Sequence, residues 1–323
     1  MSNNSFAEIG KVLTEAKSVI LFPHISMDGD ALGSCAALCS GLRSIGKDCV
    51  VLIEDKIPGN LEFLDKGFCS TDFDVIKEPD VCMCVDCGDA GRFPGRKEKF
   101  FQGKTTVCID HHSTTEMFCD YNYIDSQTAA TGELVYHLLE AMGIEPDLDA
   151  REAIFAAITT DTGNFQYSNT TKASHEIVAN LVEMGLDCNK VSVELYENIR
   201  LERIMIENKA LATLCTLSGG KGAIAFVTQD MLADTGADSS ETEGIVQILR
   251  SIAGVEIAGF LKEAEPNKVK VSLRAKRKGD VAAIATKFGG GGHVKAAGCT
   301  INASITEAFN MVKAEIEKSL ENL

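Results

Sequence analysis

The sequence predicts an α/β protein: a mostly parallel sheet flanked by helices, followed by a smaller α/β domain. Three observations predict it. In the first half, short apolar runs alternate with stretches of helical periodicity, the pattern of successive β-α-β units. From Val191 to Leu214 there is no Gly or Pro and helix formers dominate, which reads as one long helix joining two domains. Beyond it the strands alternate apolar with polar residues and the helices are short. The expected division is residues 1–190 for the first domain, 191–212 for a helical linker and 213–323 for the second domain.

Taken in order, Ser18–Phe22 is the first expected strand, followed by a helix over Ala31–Ile45. Cys49–Ile53, Val81–Val85 and Thr106–Ile109 are further buried strands, each a short apolar run. Thr131–Met142 reads as a helix stopped by Gly143. Arg151–Thr160 is apolar enough for a strand or a buried helix, and its length and alanines favour helix. Asn169–Gly185 is amphipathic and helical. In the second domain, Ala223–Thr228, Val255–Lys262 and Lys268–Ala275 read as strands, and Glu243–Ser251 and Val281–Lys287 as helices. Gly289–Gly292 stands out as a glycine run and reads as a loop.

Composition narrows the function. The chain has 323 residues, 45% hydrophobic and 24% charged, which is ordinary globular usage with room for two cores. No early apolar run is long enough for a signal peptide or membrane span, so a cytoplasmic protein without membrane contact is expected. Cys35, Cys39, Cys82, Cys84 and Cys108 sit inside apolar runs, as small buried residues do. Cys84 and Cys87 have CxxC spacing, but no second pair completes a thiolate metal site, so a structural role is expected. The net charge of −16 argues against gripping long nucleic acid, which needs many phosphate contacts. One basic cluster exists: Lys268, Lys270, Arg274, Lys276, Arg277 and Lys278 fall within eleven residues. Its plain reading is a solvated strand edge that resists edge-to-edge pairing.

The candidate chemistry follows the apolar runs. Phe22 is followed by Pro23 and His24, with Asp28, Gly29 and Asp30 close behind; Val85 is followed by Asp86; Ile109 by Asp110, His111 and His112; and Thr160 by Asp161. In an open parallel sheet, groups just past the carboxyl ends of strands converge on one crevice, so strand-end placement of all four segments predicts a shared site. Half of the protein's six histidines lie here. Crowded carboxylates repel one another and call for positive charge. Imidazole and carboxylate without thiolate favour Mn²⁺ or Mg²⁺ over structural zinc. A carboxylate shared by two such ions gives a two-metal centre that activates water and clamps a phosphoryl group.

These segments resemble the DHH phosphoesterases. His24-x-x-x-Asp28-Gly29-Asp30, Val85-Asp86, Asp110-His111-His112 and Thr160-Asp161-Thr162-Gly163-Asn164-Phe165 look like that family's four motifs, in order. Ser272-Leu273-Arg274 and Gly289 to Gly298 with His293 look like the associated DHHA1 substrate domain. The resemblance covers nearly the whole chain, and no motif position is substituted. It implies one metal held by His24, Asp28 and Asp86 and a second by Asp30, Asp86, His111 and Asp161, with Asp86 bridging. It further implies that Asp110 fixes an imidazole from behind and that His112 touches the scissile phosphate as acid or donor. Arg274, Gly291, Gly292 and His293 would bind the substrate's other end. The cofactors implied are two divalent ions, Mn²⁺ first and Mg²⁺ as the alternative.

The compact length is similar to the oligoribonuclease/pAp phosphatase group of that family, rather than its longer single-strand exonucleases or membrane-bound cyclic-dinucleotide enzymes. The resemblance therefore implies a phosphoesterase releasing 5′-mononucleotides from short RNA, or AMP and phosphate from pAp. A cyclic-dinucleotide phosphodiesterase acting on c-di-AMP would use the same motifs. A non-catalytic nucleotide sensor would be expected to lose metal ligands, and a pyrophosphatase would lack the Gly289–Gly298 segment. His137 and His175 are expected to be structural, Asp89 to cap the turn after it, and Asp125 and Glu133 to lie at the surface or a helix start. Asn164 either touches substrate or closes the turn after Asp161. The sequence does not fix the oligomeric state; a homodimer through the first domain is allowed.

Overall fold

The computed structural model describes residues 3–321, which divide into two compact units between Asn198 and Ile199. The first unit contains six strands, β1 (Ser18–Phe22), β2 (Asp48–Leu52), β3 (Cys69–Ser70), β4 (Val81–Val85), β5 (Thr105–Asp110) and β6 (Tyr121–Ile124). Its helices are α1 (Phe6–Glu15), α2 (Gly29–Ser44), α3 (Lys97–Phe100), α4 (Thr131–Ala141), α5 (Leu148–Asp161), α6 (Lys172–Glu183) and α7 (Cys188–Ser192). All six strands are parallel, in the order β3-β2-β1-β4-β5-β6. The order reverses between β1 and β4, the point in such sheets where a crevice opens at the carboxyl ends.

Both sheet faces are buried, which is why the strands read as unbroken apolar runs. Val19, Leu21, Met83, Val85, Val107 and Ile109 pack on one side, against the apolar residues of α1, α2, α4 and α5. Ile20, Phe22, Leu52, Cys82, Cys84 and Cys108 pack on the other with Phe93 and Phe100. Helices α2, α4 and α5 approach closely because small residues face each other. A methyl group on Gly33 would stand 2.6 Å from the Ala153 carbonyl oxygen, and one on Gly132 would stand 2.5 Å from the Ala157 Cβ.

The second unit carries β7 (Cys215–Leu217), β8 (Gly222–Val227), β9 (Ile257–Glu265), β10 (Lys268–Ala275), β11 (Gly291–His293) and β12 (Ala296–Ile301) in the order β11-β12-β10-β9-β8-β7. Only the β8–β9 pair is parallel. Its helices are α8 (Leu201–Ala212), α9 (Gln229–Thr235), α10 (Ile245–Ser251), α11 (Val281–Thr286) and α12 (Ile305–Glu321). Ala308, Val312, Ile316 and Leu320 recur every four residues along α12 and bury one stripe against β8, β9 and β10.

Several expectations need correction. The single helix expected over 191–214 is broken: α7 runs into a π-helical turn, Val193–Glu197, and Asn198 to Arg200 are non-helical before α8. Asn198 adopts a φ of −96° and ψ of 61°, outside the helical region, so favourable propensity alone did not carry one helix across. The glycine run expected as a loop contributes an edge strand, β11, whose pairing to β12 needs glycine. A methyl group on Gly292, at φ 137°, would sit 2.6 Å from the Ala296 carbonyl oxygen. All twelve cysteines are free thiols, and Cys84 and Cys87 are buried, in line with a structural role for the CxxC pair. Among the described residues no helix is long and apolar enough to cross a membrane.

Candidate metal centre

Three strand ends and one helix end deliver the site. His24 follows β1, with Asp28 as the N-cap of α2, accepting from the Ala31 N–H at 3.0 Å, and Asp30 in its first turn. Asp86 follows β4 in the left-handed region, φ 57°, an unusual conformation for a non-glycine residue that turns the chain directly off the strand. Asp110 ends β5, and His111 and His112 follow. Asp161 follows the helix favoured over Arg151–Thr160 rather than a strand, so the strand-end rule does not place it. It is the last residue of α5, a helix buried nearly all round, and it joins the others because α5 packs against α2.

These side chains converge. His24 Nε2 lies 3.7 Å from Asp28 Oδ1 and 3.7 Å from Asp86 Oδ2. His111 Nε2 lies 3.6 Å from Asp86 Oδ1, 3.6 Å from Asp161 Oδ2 and 3.7 Å from Asp30 Oδ2. Asp86 thus turns one oxygen to each imidazole. The ligand atoms of His24, Asp28 and Asp86 all lie within 4.8 Å of one another, as do those of Asp30, His111 and Asp161. The third such group is Asp86, His111 and His112.

The donor chemistry fits divalent ions. The Nδ1 of His24 is 2.7 Å from the Ile25 carbonyl and that of His111 is 3.2 Å from the Thr128 carbonyl, so each ring is anchored by backbone and presents Nε2 to the carboxylates. Distances of 3.6–3.7 Å are too long for direct hydrogen bonds and leave room for a shared cation. The carboxylates are correspondingly unsettled. Burial, then Asp86, Asp161 and Asp28, push the Asp30 carboxyl well above its ordinary value. Burial and Asp28 push Asp86 up. Asp161 is pushed up to about 6 by burial, against the pull of His111. Burial opposes charge on His24, but Asp28 and Asp86 outweigh it and raise the imidazole. Anions and imidazoles alike call for positive charge at this point.

His112 is set apart. Its Nδ1 lies 2.8 Å from Asp110 Oδ1, which also accepts from the His111 N–H at 2.8 Å and the His112 N–H at 3.3 Å. The hydrogen bond to Asp110, opposed by burial, pushes His112 up to about 9. Asp110 is fully buried; burial works against its charge, but His112 and Thr115 outweigh it and hold the carboxyl low. With Nδ1 tied to a carboxylate, Nε2 is the ring atom left to meet a ligand.

The sequence reading missed the residues that hold the carboxylates. Helix α4 begins at Ala130 without a capping side chain of its own. Its first N–H groups are instead taken by Asp30: Thr131 N–H donates at 2.7 Å and Gly132 N–H at 2.9 Å, and Ser34 adds its hydroxyl at 2.9 Å. The Thr131 hydroxyl donates to Asp86 Oδ1 at 2.8 Å. The legible signal was a helix start, Ala129-Ala130-Thr131-Gly132, with no cap before it.

The remaining residues sort plainly. Asn164, within a run of left-handed residues from Gly163 to Phe165, closes the turn after Asp161: its N–H reaches the Thr159 carbonyl at 2.7 Å and its side chain accepts from the Thr159 hydroxyl. His175 stacks on Phe165 with ring centroids 5.1 Å apart, and His137 pairs with Glu140. Asp89 caps its turn through the Gly91 N–H, and Asp125 accepts from Gln127. Glu133 starts a helix as expected but is buried, not superficial, and accepts from the Ser174 hydroxyl at 2.5 Å. In the second unit, register places Arg274 and His293 on either side of Ala296, so the two lie in one row across β10, β12 and β11. Gly291, Gly292 and His293 are exposed there.

Residues 18–160 match the DHH family, N-terminal domain, and residues 219–322 match the DHHA1 domain. The chain belongs to the DHH phosphoesterase family and is a hydrolase of that class. It is similar to the bifunctional oligoribonuclease and PAP phosphatase NrnA of Thermus thermophilus, 29% identical over 94% of this chain and 90% of that protein. The NrnA of Bacillus subtilis is 26% identical over 91% of this chain and 92% of its own length. Among solved structures, an exopolyphosphatase-related protein from Bacteroides fragilis superposes with a TM-score of 0.90 at 25% identity, covering 97% of this chain and 95% of that one.

Proposed function

We propose that this chain hydrolyses phosphoester bonds in short oligoribonucleotides, releasing 5′-mononucleotides, and in pAp, releasing AMP and phosphate. The observation that carries the reading is the pair of oxygens of Asp86, one turned to His24 and the other to His111. His24, Asp28 and Asp86 would hold one divalent ion, and Asp30, Asp86, His111 and Asp161 a second, Mn²⁺ before Mg²⁺. Bound there, such ions supply activation of water and neutralise charge on the phosphoryl group.

The chain's own groups do the rest. Thr131, Gly132 and Ser34 hold Asp30 and Asp86 in place, so the ligand set is organised before any ion arrives. Asp110 fixes His112 with Nδ1 occupied, and Nε2 donates to a phosphoryl or leaving-group oxygen. Water adds across the P–O bond, its oxygen to phosphorus and a proton to the departing oxygen. Arg274 makes a charge-assisted contact to another phosphate of the substrate, and the backbone N–H groups of Gly291 and Gly292, with His293, take its remainder. The similarity to the two NrnA proteins supports the choice of short RNA and pAp over longer polymers, as does the net charge of −16.

The test is turnover by purified protein with Mn²⁺ of pApA, pGpG, a five-mer and a 24-mer RNA, pAp and c-di-AMP, with products resolved by chromatography. Rapid turnover of the dinucleotides and pAp is expected. Activity confined to c-di-AMP would replace this reading with a cyclic-dinucleotide phosphodiesterase, and preference for the 24-mer would overturn the limit on length.

A further inference from the structure

The basic cluster around β10 has lost its plain explanation. Strand β10 is not an edge: β9 and β12 pair with it on both sides, so its cations protect no free backbone. Most members of the cluster have local partners. Lys268 pairs with Glu265, Arg277 with Glu256, and Lys276 donates to the Ile252 carbonyl. Lys270 is different: it is exposed, and among the described residues its ammonium makes no hydrogen bond or ion pair.

Its cross-strand partner is another lysine. In the antiparallel register Lys270 stands directly opposite Lys262 of β9, a like-charge placement that disfavours the sheet unless an anion is shared. Lys262 is only half-exposed and its ammonium donates to the Ser239 carbonyl at 2.9 Å. Burial pushes its pKa down and Lys270 adds to that, against Glu243. Strand alternation puts Lys270, Ser272 and Arg274 on one face of β10, while Val269, Val271, Leu273 and Ala275 face the apolar core on the other. Register continues this face through Gly298 and exposed Thr300 of β12. From Arg274 to Lys270 is four residues, about 13 Å of strand. Successive phosphates in a stacked strand rise about 3.4 Å, so this row is long enough for more than one.

The geometry points to Lys262 and Lys270, with Ser272, as a phosphate track that continues from Arg274 and holds the further phosphodiesters of a single-stranded RNA longer than a dinucleotide. The inference rests on the short-RNA reading above and adds which residues grade substrates by length.

The test is fluorescence anisotropy of a labelled five-nucleotide RNA and a labelled dinucleotide with the full chain in EDTA, over a range of KCl. Wild type, Lys270→Gln and Lys262→Gln are compared. Loss of one charge-assisted contact should weaken five-mer binding about tenfold in each variant. It should also flatten the slope of log affinity against log salt by about 0.7. The dinucleotide, held at Arg274, should change much less than the five-mer. Unchanged five-mer affinity and slope in both variants overturns the track, as does an equal loss for dinucleotide and five-mer. Mn²⁺-dependent hydrolysis of pApA and pAp by the same wild-type preparation separates the two ideas. Its absence would overturn the short-nucleotide reading, while the anisotropy still decides whether the lysines hold RNA.

Discussion

Thr131→Val should weaken metal binding without unfolding the protein. Thr131 is fully buried, and its hydroxyl donates to Asp86 Oδ1 at 2.8 Å, while its N–H separately donates to Asp30 at 2.7 Å. Valine keeps the shape and the backbone N–H and removes only the hydroxyl. A hydrogen bond to a charged group contributes about 1.5–3 kcal/mol. A residue that orients a metal ligand is commonly worth about 10–100-fold in metal affinity, and the two ranges agree, since a factor of ten is about 1.4 kcal/mol. Isothermal titration of metal-free protein with Mn²⁺ should therefore show affinity lower by about 10–100-fold in Thr131→Val. Thr131→Ser, which restores the hydroxyl, should recover most of it. Equal affinity in wild type and Thr131→Val, or no recovery with serine, would refute the idea that this helix start organises Asp86.

Three further outcomes follow from local geometry. Gly33→Ala adds a methyl group 2.6 Å from the Ala153 carbonyl oxygen and 3.1 Å from the Ala157 nitrogen, both backbone atoms that cannot rotate away. Overpacking of about 1–3 kcal/mol should exceed the gain in helix propensity of about 1 kcal/mol, so urea denaturation should show a less stable protein. Asp80 is held down to about 2, first by the Lys104 ammonium at 2.8 Å and then by the Lys17 N–H. A depressed folded value stabilises above the ordinary 3.8 and is lost as pH falls towards 2. Asp80→Asn should therefore be less stable than wild type at pH 6, and the gap between their urea midpoints should close near pH 2; a constant gap would contradict this. On the proposed reading, in which His112 held by Asp110 meets the phosphoryl group and is not one of the metal ligands, His112→Ala should lower kcat by roughly 10²–10⁴ while Mn²⁺ affinity stays within experimental error.

The first sheet was the most legible part of the molecule, because strands buried on both faces leave unbroken apolar runs. Ser18–Phe22 and Val81–Val85 match β1 and β4 to the residue; in the second sheet Lys268–Ala275 matches β10 for a different reason, the alternation of its apolar residues. Carboxylates and histidines following such runs were legible as a cluster for the same reason: parallel topology puts those ends together. Short or edge elements were not legible. Strand β3 has two residues, and β11 has three, two of them glycines, which by themselves favour a loop and become a strand only by pairing back onto β12. The N-terminal helix α1 was passed over although Ser5 and Glu8 form a capping box and Ile9 and Leu13 share one face. Thr131 was invisible for a deeper reason. Its importance lies in a contact to Asp86, forty-five residues away in sequence, and no local pattern encodes that distance.

The most direct measurement is the number of Mn²⁺ ions bound per chain, by calorimetric titration of metal-free wild type and Asp86→Asn. Because Asp86 turns one oxygen to His24 and the other to His111, wild type should bind two ions, and loss of the shared carboxylate should weaken both sites together. A single ion in wild type, or two ions retained with unchanged affinity in Asp86→Asn, would contradict a bridged centre.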